Sequence, residues 1–207
     1  MPECDELSDR ARRIGAVNTV TFSKDGRMWG DNTDGYGFME NLRQEAPDVA
    51  FCSGPAVVLG AGGASRAILV ALLDEGSPEI RIANRTRKRA EELAKEINDP
   101  RIKVVDWPLA PDALCDVSLV VNTTSLGMVG QPKLEIDLDG LPISALVTDI
   151  VYAPLMTDLL VQAKARGNPI VDGLGMLLHQ ARPGFHRWFG IDPEVTQELR
   201  DFVLSPD

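Results

Sequence analysis

Val57-Val58-Leu59-Gly60-Ala61-Gly62-Gly63-Ala64-Ser65-Arg66 is the stretch on which the fold turns. An apolar run stops at clustered glycines and resumes as a helical pattern, which is how a parallel sheet offers a helix N-terminus to a pyrophosphate. Gly60, Gly62 and Gly63 permit a tight turn and close backbone approach, and the amides of Ala64 and Ser65 would face the negative charge. Ser65 stands at the sixth motif position in place of glycine, small enough for close helix–strand packing. A glycine turn alone can serve packing; the helical pattern behind it favours a dinucleotide.

The next strand ends at Asn84-Arg85-Thr86-Arg87-Lys88-Arg89, where an NAD-specific domain usually carries an acid for the ribose hydroxyl. A guanidinium at Arg85 can make paired hydrogen bonds to a 2′-phosphate, and Arg89, one helical turn on, reaches the same side. The expected cofactor is therefore NADP. Arg87 and Lys88 read as an ordinary charged helix start.

Around this centre the chain alternates strand and helix. Strands are expected at 56–60, 79–84, 102–105, 117–122, 146–151 and 169–172, with helices at 64–75, 86–97, 155–166, 173–188 and 193–204. The expected fold class is α/β, a Rossmann-type doubly wound parallel sheet covered on both faces. Asn122-Thr123-Thr124-Ser125-Leu126-Gly127-Met128 closes the fourth strand, where ligands sit in this architecture, so Thr123 can line the nicotinamide side or simply make the turn.

The first 45 residues do not share the alternation. Residues 4–13 read as a helix, 16–22 as a strand, Asp25-Gly26 as a turn, 27–30 as the returning strand and 33–44 as a helix, with 46–55 a linker. The expected division is 1–45 as the end of a second α/β domain, 46–190 as the NADP domain, and 191–207 as a helix packing back on the first part.

The 207 residues suffice for a real core, and 44% hydrophobic with 25% charged residues suits a globular protein. A net charge of −10 argues against nucleic acid or anionic membrane as partners. Cys4, Cys52 and Cys115 fit no metal spacing and read as reduced thiols of a cytoplasmic protein; no metal site is expected. Neither a membrane-length apolar run nor a signal-peptide pattern is present in the sequence.

Five motifs in one order resemble the shikimate dehydrogenase family: Gly15-Ala16-Val17-Asn18-Thr19, Gly30-Asp31-Asn32-Thr33-Asp34-Gly35, Gly60 to Ser65, Asn84-Arg85-Thr86 and Asp172-Gly173-Leu174-Gly175-Met176. The resemblance runs through nearly the whole chain. It implies NADP-linked interconversion of 3-dehydroshikimate and shikimate in aromatic amino-acid (chorismate) biosynthesis, with substrate held between two domains, in a monomer or homodimer. It further implies that Asn18 and Asp34 bind the substrate hydroxyls, with Asp34 in the catalytic pair. Gln180 would contact substrate, and Tyr152 would sit near both ligands. Asn84, Arg85, Thr86 and Arg89 would hold the adenosine phosphate, and Gly173 and Met176 would join Gly60 to Ser65 and Thr123 around the cofactor.

These residue types suit a polyhydroxylated carboxylate, which needs fixed donors and acceptors. Each also has a plain structural use: Asp34 as a helix N-terminal acid, Asn18 as a strand residue, Gln180 as a polar edge position. A lone carboxylate such as Asp34 suits orienting a cationic partner better than donating a proton. The family carries its catalytic lysine and two carboxylate-binding serines upstream of the Gly-Ala-Val-Asn-Thr motif; here no lysine precedes Asn18, and Lys24 falls at a hairpin turn. A fragment, a start codon assigned too late and a natural truncated relative all fit, and exposed strand edges and apolar surface would follow. Two further readings stand beside the enzyme: a non-catalytic NADP-binding module and a quinate-type dehydrogenase. Arg85 disfavours an NAD-preferring form of the latter.

Overall fold

A computed structural model describes residues 3–109 and 111–205. The first part is a three-stranded sheet in the order β1-β3-β2, from β1 (Glu6–Leu7), β2 (Thr19–Phe22) and β3 (Met28–Asp31). Helix α1 (Asp9–Ile14) follows β1, and α2 (Asp34–Glu45) leaves β3 toward the rest of the chain. Ser8 is why α1 begins at Asp9 and not near residue 4: its side chain caps the helix by accepting from the Ala11 amide at 3.0 Å. Glu6 and Leu7 are drawn into parallel pairing with β3 instead.

The larger sheet holds β4 (Ala56–Leu59), β5 (Ile80–Ala83), β6 (Ile102–Val105), β7 (Leu119–Asn122), β8 (Leu146–Asp149) and β9 (Ile170–Val171). Its order is β6-β5-β4-β7-β8-β9 with every neighbouring pair parallel, so the winding reverses between β4 and β7. The side-chain period of two divides these strands between two cores. Ala56, Val58, Ile80, Ile82 and Val121 face α2, α3 (Gly63–Asp74) and α4 (Arg87–Ile97). Val57, Leu59, Ala83, Val120 and Val147 face α5 (Asp158–Arg166) and the segment carrying Leu134, Leu138 and Leu141. Strands buried on both faces read as unbroken apolar runs, as β4 does, whereas Arg81 and Lys103 interrupt β5 and β6 toward the sheet edge.

The helix expected over 173–188 is two: α6 (Leu174–His179) and α7 (Ala181–Phe189). Pro183 has no amide to give the His179 carbonyl, so hydrogen bonding breaks at Gln180 and restarts with the proline in the first turn of α7. Helices α5 and α8 (Gln197–Leu204) likewise start later than expected, at the threonine caps Thr157 and Thr196. Helix α7 docks on the small sheet: Trp188 Nε1 donates to the Val20 carbonyl at 3.0 Å, and Arg187 lies 3.6 Å over the Trp29 ring. Phe22, Trp188, Phe189 and Ile191 stay exposed around that contact. Among the described residues, no helix is long and apolar enough to cross a membrane.

Two glycines bring α2 and α6 together. A Cβ on Gly37 would lie 2.6 Å from the Gln180 nitrogen and 2.7 Å from the Met176 carbonyl oxygen, and Gly175 faces α2 in return across Asn41. Gly37→Ala should therefore destabilise the fold by about 1–3 kcal/mol through overpacking, although alanine is the better helix former. A lowered urea midpoint checks this; an unchanged or raised one refutes it.

His179, at the end of α6, is buried, and neither ring nitrogen has a hydrogen-bond partner among the described residues. Burial first, and the Arg182 charge next, pull its pKa down. The native state then binds fewer protons than the unfolded chain, so its contribution is intact above the ordinary histidine value of about 6.5 and lost as pH falls below it. His179→Leu should flatten the fall in urea midpoint between about pH 7.5 and 5.5; an unaltered slope would exclude this residue as its source.

Candidate functional site

The site begins where β4 ends. Gly60 has φ of +111°, open to glycine at little cost, and a Cβ there would lie 2.7 Å from Thr123 Oγ1. Behind the turn runs a relay of hydroxyls. Thr123 Oγ1 donates to the Leu59 carbonyl at 2.7 Å and lies 2.6 Å from Ser65 Oγ, which accepts from the Gly62 amide at 3.0 Å. Both side chains are buried and spent on fixing β4 against β7 and the start of α3. By sequence Ser65 counts for its size alone; in the fold its hydroxyl does more than glycine could. Nothing lies within 4 Å of the Cβ positions of Gly62 and Gly63, and the first-turn amides of α3, including Ala64, have no acceptor within the helix. Ala61 is half-buried against the first core. The turn is an open cradle for an anion.

The arginines after β5 divide by partner. Arg87 pairs with Glu91 at 2.9 Å and with Asp106, and Lys88 lies 3.8 Å from Glu92. Arg85 and Arg89 are exposed and have no carboxylate partner among the described residues. Asn84 Nδ2 donates to the Thr86 carbonyl at 2.8 Å and braces the turn, while the Thr86 hydroxyl makes no capping bond to α4. Two unpaired guanidiniums beside an open glycine turn fit the phosphates of a dinucleotide.

On the other side of the switch point, Asn122 Nδ2 donates to Asp149 Oδ1 at 3.0 Å, tying the ends of β7 and β8. Asp149 also accepts from the Val151 amide at 2.9 Å and the Thr157 hydroxyl at 2.8 Å. Burial pushes its carboxyl up, opposed by these three donors. Asp149 stood unremarked within a predicted strand end, and only its partners reveal its work. Gly173 is buried against the Ile150 and Val151 carbonyls, Met176 is buried one turn on, and Tyr152 is exposed at the rim.

The small sheet contributes a polar cluster. Asn18 Nδ2 donates to Asp34 Oδ1 at 2.7 Å, and Asn18 Oδ1 accepts from the Thr33 amide at 3.0 Å. Asn32 turns its amide group toward Asp34 Oδ2 at 3.4 Å and accepts from the Asp34 amide at 3.1 Å. The carboxylate is thus aimed from the start of α2 by two amides. Gln180, half-buried at the α6–α7 break, abuts Gly37 in the same first turn of α2, which brings Asn18, Asp34 and Gln180 to one end of that helix. Asn32 and Thr33, inside a quoted motif but given no role, are what hold Asn18 and Asp34 together. Among the described residues no lysine bonds or pairs with Asp34, and Lys24 is exposed at the β2–β3 turn.

A family model described as Shikimate / quinate 5-dehydrogenase matches residues 44–129. The shikimate dehydrogenase (NADP(+)) of Dinoroseobacter shibae is 61% identical over 201 residues, covering 97% of this chain and 72% of that protein. That of Paramagnetospirillum magneticum is 59% identical with the same coverage. Among solved structures, the quinate dehydrogenase of Corynebacterium glutamicum in complex with NAD superposes with a TM-score of 0.89 at 33% identity, over 98% of this chain and 73% of that one. The shikimate 5-dehydrogenase of Thermus thermophilus, in complex with NADP(H) and shikimate, gives 0.79 at 39% identity, over 92% of this chain and 69% of that one. With identity this high over nearly its whole length, the chain belongs to the shikimate dehydrogenase family.

Proposed function

We propose that the chain is an NADP-linked oxidoreductase that interconverts 3-dehydroshikimate and shikimate in aromatic amino-acid biosynthesis. The observation that carries the reading is the pair of unpaired guanidiniums, Arg85 and Arg89, beside an open glycine turn, with the Asn18–Asp34 pair across the switch point. The relatives named for shikimate and NADP(+) support it.

NADP(H) supplies the hydride when bound. The first-turn amides of α3 receive the pyrophosphate, and Arg85 and Arg89, with Asn84 and Thr86 shaping their turn, take the 2′-phosphate. Gly173 and Met176 back the nicotinamide. Asn18 and Asp34 receive substrate hydroxyls, the amide as donor and the carboxylate as acceptor, with Gln180 and Tyr152 completing the wall. Bonded by two amides, Asp34 orients the reacting hydroxyl and is placed to stabilise a small cationic amine that acts as the acid–base partner. The partners are small molecules, and the protein acts as one copy or a homodimer in the cytoplasm. The division into 1–45, 46–190 and 191–207 follows the ligands: substrate cluster, cofactor sheet and closing helix.

A quinate dehydrogenase using NAD is the nearest rival, favoured by the superposition on such an enzyme. The cofactor decides between them. NADPH should bind far more tightly than NADH, because each charge-assisted bond to the 2′-phosphate contributes roughly 1.5–3 kcal/mol. Arg85→Ala with Arg89→Ala should bring the two affinities together in titration calorimetry; equal affinities in the unaltered chain would defeat the NADP assignment.

Turnover tests the rest. NADP reduction with shikimate should exceed that with quinate and should quicken when a small primary amine is added, since no lysine flanks Asp34 among the described residues. Asp34→Asn should weaken shikimate binding by about ten- to a hundredfold, the worth of one hydrogen bond to a charged group, and leave NADPH affinity unchanged. Unaltered shikimate affinity would return Asp34 to a helix-start acid.

A further inference from the structure

Helix α8 is anchored by the residue least suited to burial. Phe202 is 75% exposed and Val203 and Leu204 are each 44% exposed, while the buried residue of the helix is Arg200. A guanidinium is removed from water only at high cost unless its protons are met. Arg200 Nη2 donates to Asp172 Oδ2 at 2.7 Å, and Nη1 lies 3.7 Å from Glu45 Oε1 on α2. The other oxygen of Asp172 accepts from the Leu174 amide, the first of α6, at 3.0 Å, and its carbonyl accepts from Asn41 Nδ2 on α2 at 2.7 Å. One residue, Asp172, thus joins α8, α2 and the start of α6.

The junction is tight and incompletely satisfied. A Cβ on Gly175 would lie 1.7 Å from Asn41 Oδ1 and 3.2 Å from Arg200 Nη1, and both of those atoms are buried without a hydrogen-bond partner among the described residues. An apolar residue at 200 would avoid that cost, and α8 has apolar residues to spare. What the arginine does that they could not is grip the carboxylate that starts α6.

We propose that Arg200 is a positioning residue for the nicotinamide half of the cofactor. Through Asp172 it fixes the first turn of α6, so that Gly173 and Met176 hold the surface against which the nicotinamide packs. The inference rests on the cofactor placement under Proposed function. It makes a selective claim, because Arg85 and Arg89 lie after β5, and neither hydrogen-bonds nor pairs with this junction. The adenosine end should be indifferent to Arg200.

The test compares two ligands by calorimetry: NADPH, and adenosine 2′,5′-bisphosphate, which has the adenosine end without the nicotinamide. Arg200→Met should raise the Kd for NADPH about tenfold, the worth of one hydrogen bond, and leave that for adenosine 2′,5′-bisphosphate within about twofold. Arg200→Lys should recover part of the loss. Asp172→Asn should show the same selectivity, and the double variant should be no weaker than the worse single one. Should Arg200→Met fail to fold, Asp172→Asn carries the comparison, since it keeps the guanidinium. Equal loss for both ligands, or loss for neither, overturns the proposal. An unaltered chain that binds neither ligand overturns the NADP reading itself, and this inference with it.

Discussion

The approach of α2 to α6 at glycine distance is the constraint from which the rest of the site follows. Helix α2 starts in the small sheet with Asp34 and packs against the large one with Leu42, while α6 starts beside the end of β8 with Gly173 and ends at Gln180. Gly37 lets the Gln180 backbone nitrogen come within what would be Cβ contact, so at that point the α2 backbone meets the end of α6 directly. The residue proposed to face substrate and the one proposed to face cofactor are therefore set by a single packing interface. Interiors of this density do not deform gradually, and a shift of one helix must move the other.

A second layer of order lies in polar groups bonded to the protein itself. The Ser65–Thr123–Leu59 relay closes the glycine turn from behind, and the Asn122–Asp149–Thr157 group closes the ends of β7 and β8. Each is buried and fully bonded, the condition under which buried polar groups rigidify a structure and do not weaken it. They explain why a loop built from glycines can present its amides in a fixed direction.

The parallel sheet was legible because its signal is redundant. Short, mostly apolar runs and the helical spacing between them agree across Ala56 to Val171, and the strands fall where the pattern puts them. The short elements were less legible. Two-residue β1 exists only because β3 offers it a partner, and the break at Gln180 turns on one missing amide three residues later. Residue types in the quoted motifs pointed to Asn18 and Asp34, yet that these two bond each other is a tertiary fact fixed by Asn32 and Thr33. Arg200 gave no signal at all: an arginine in an amphipathic helix reads as solvated, and only the fold turns it inward.

The arginines carry that lesson further. Arg85, Arg87, Arg89 and Arg200 are identical as letters, and three of them sit in one run of five residues. What separates them is whether a carboxylate already holds the guanidinium. Arg87 is held by Glu91 and Asp106 and adds little to recognition, because an ion pair on the surface must be given up before a ligand can be bound. Arg200 is held by Asp172 and faces away from solvent, so its strength goes into the shape of the fold. Arg85 and Arg89 keep an unspent charge next to an open turn, in a protein whose net charge of −10 would otherwise repel a dinucleotide phosphate. In an acidic protein the phosphate-binding site is defined as much by which cations are left unpaired as by where the glycines fall.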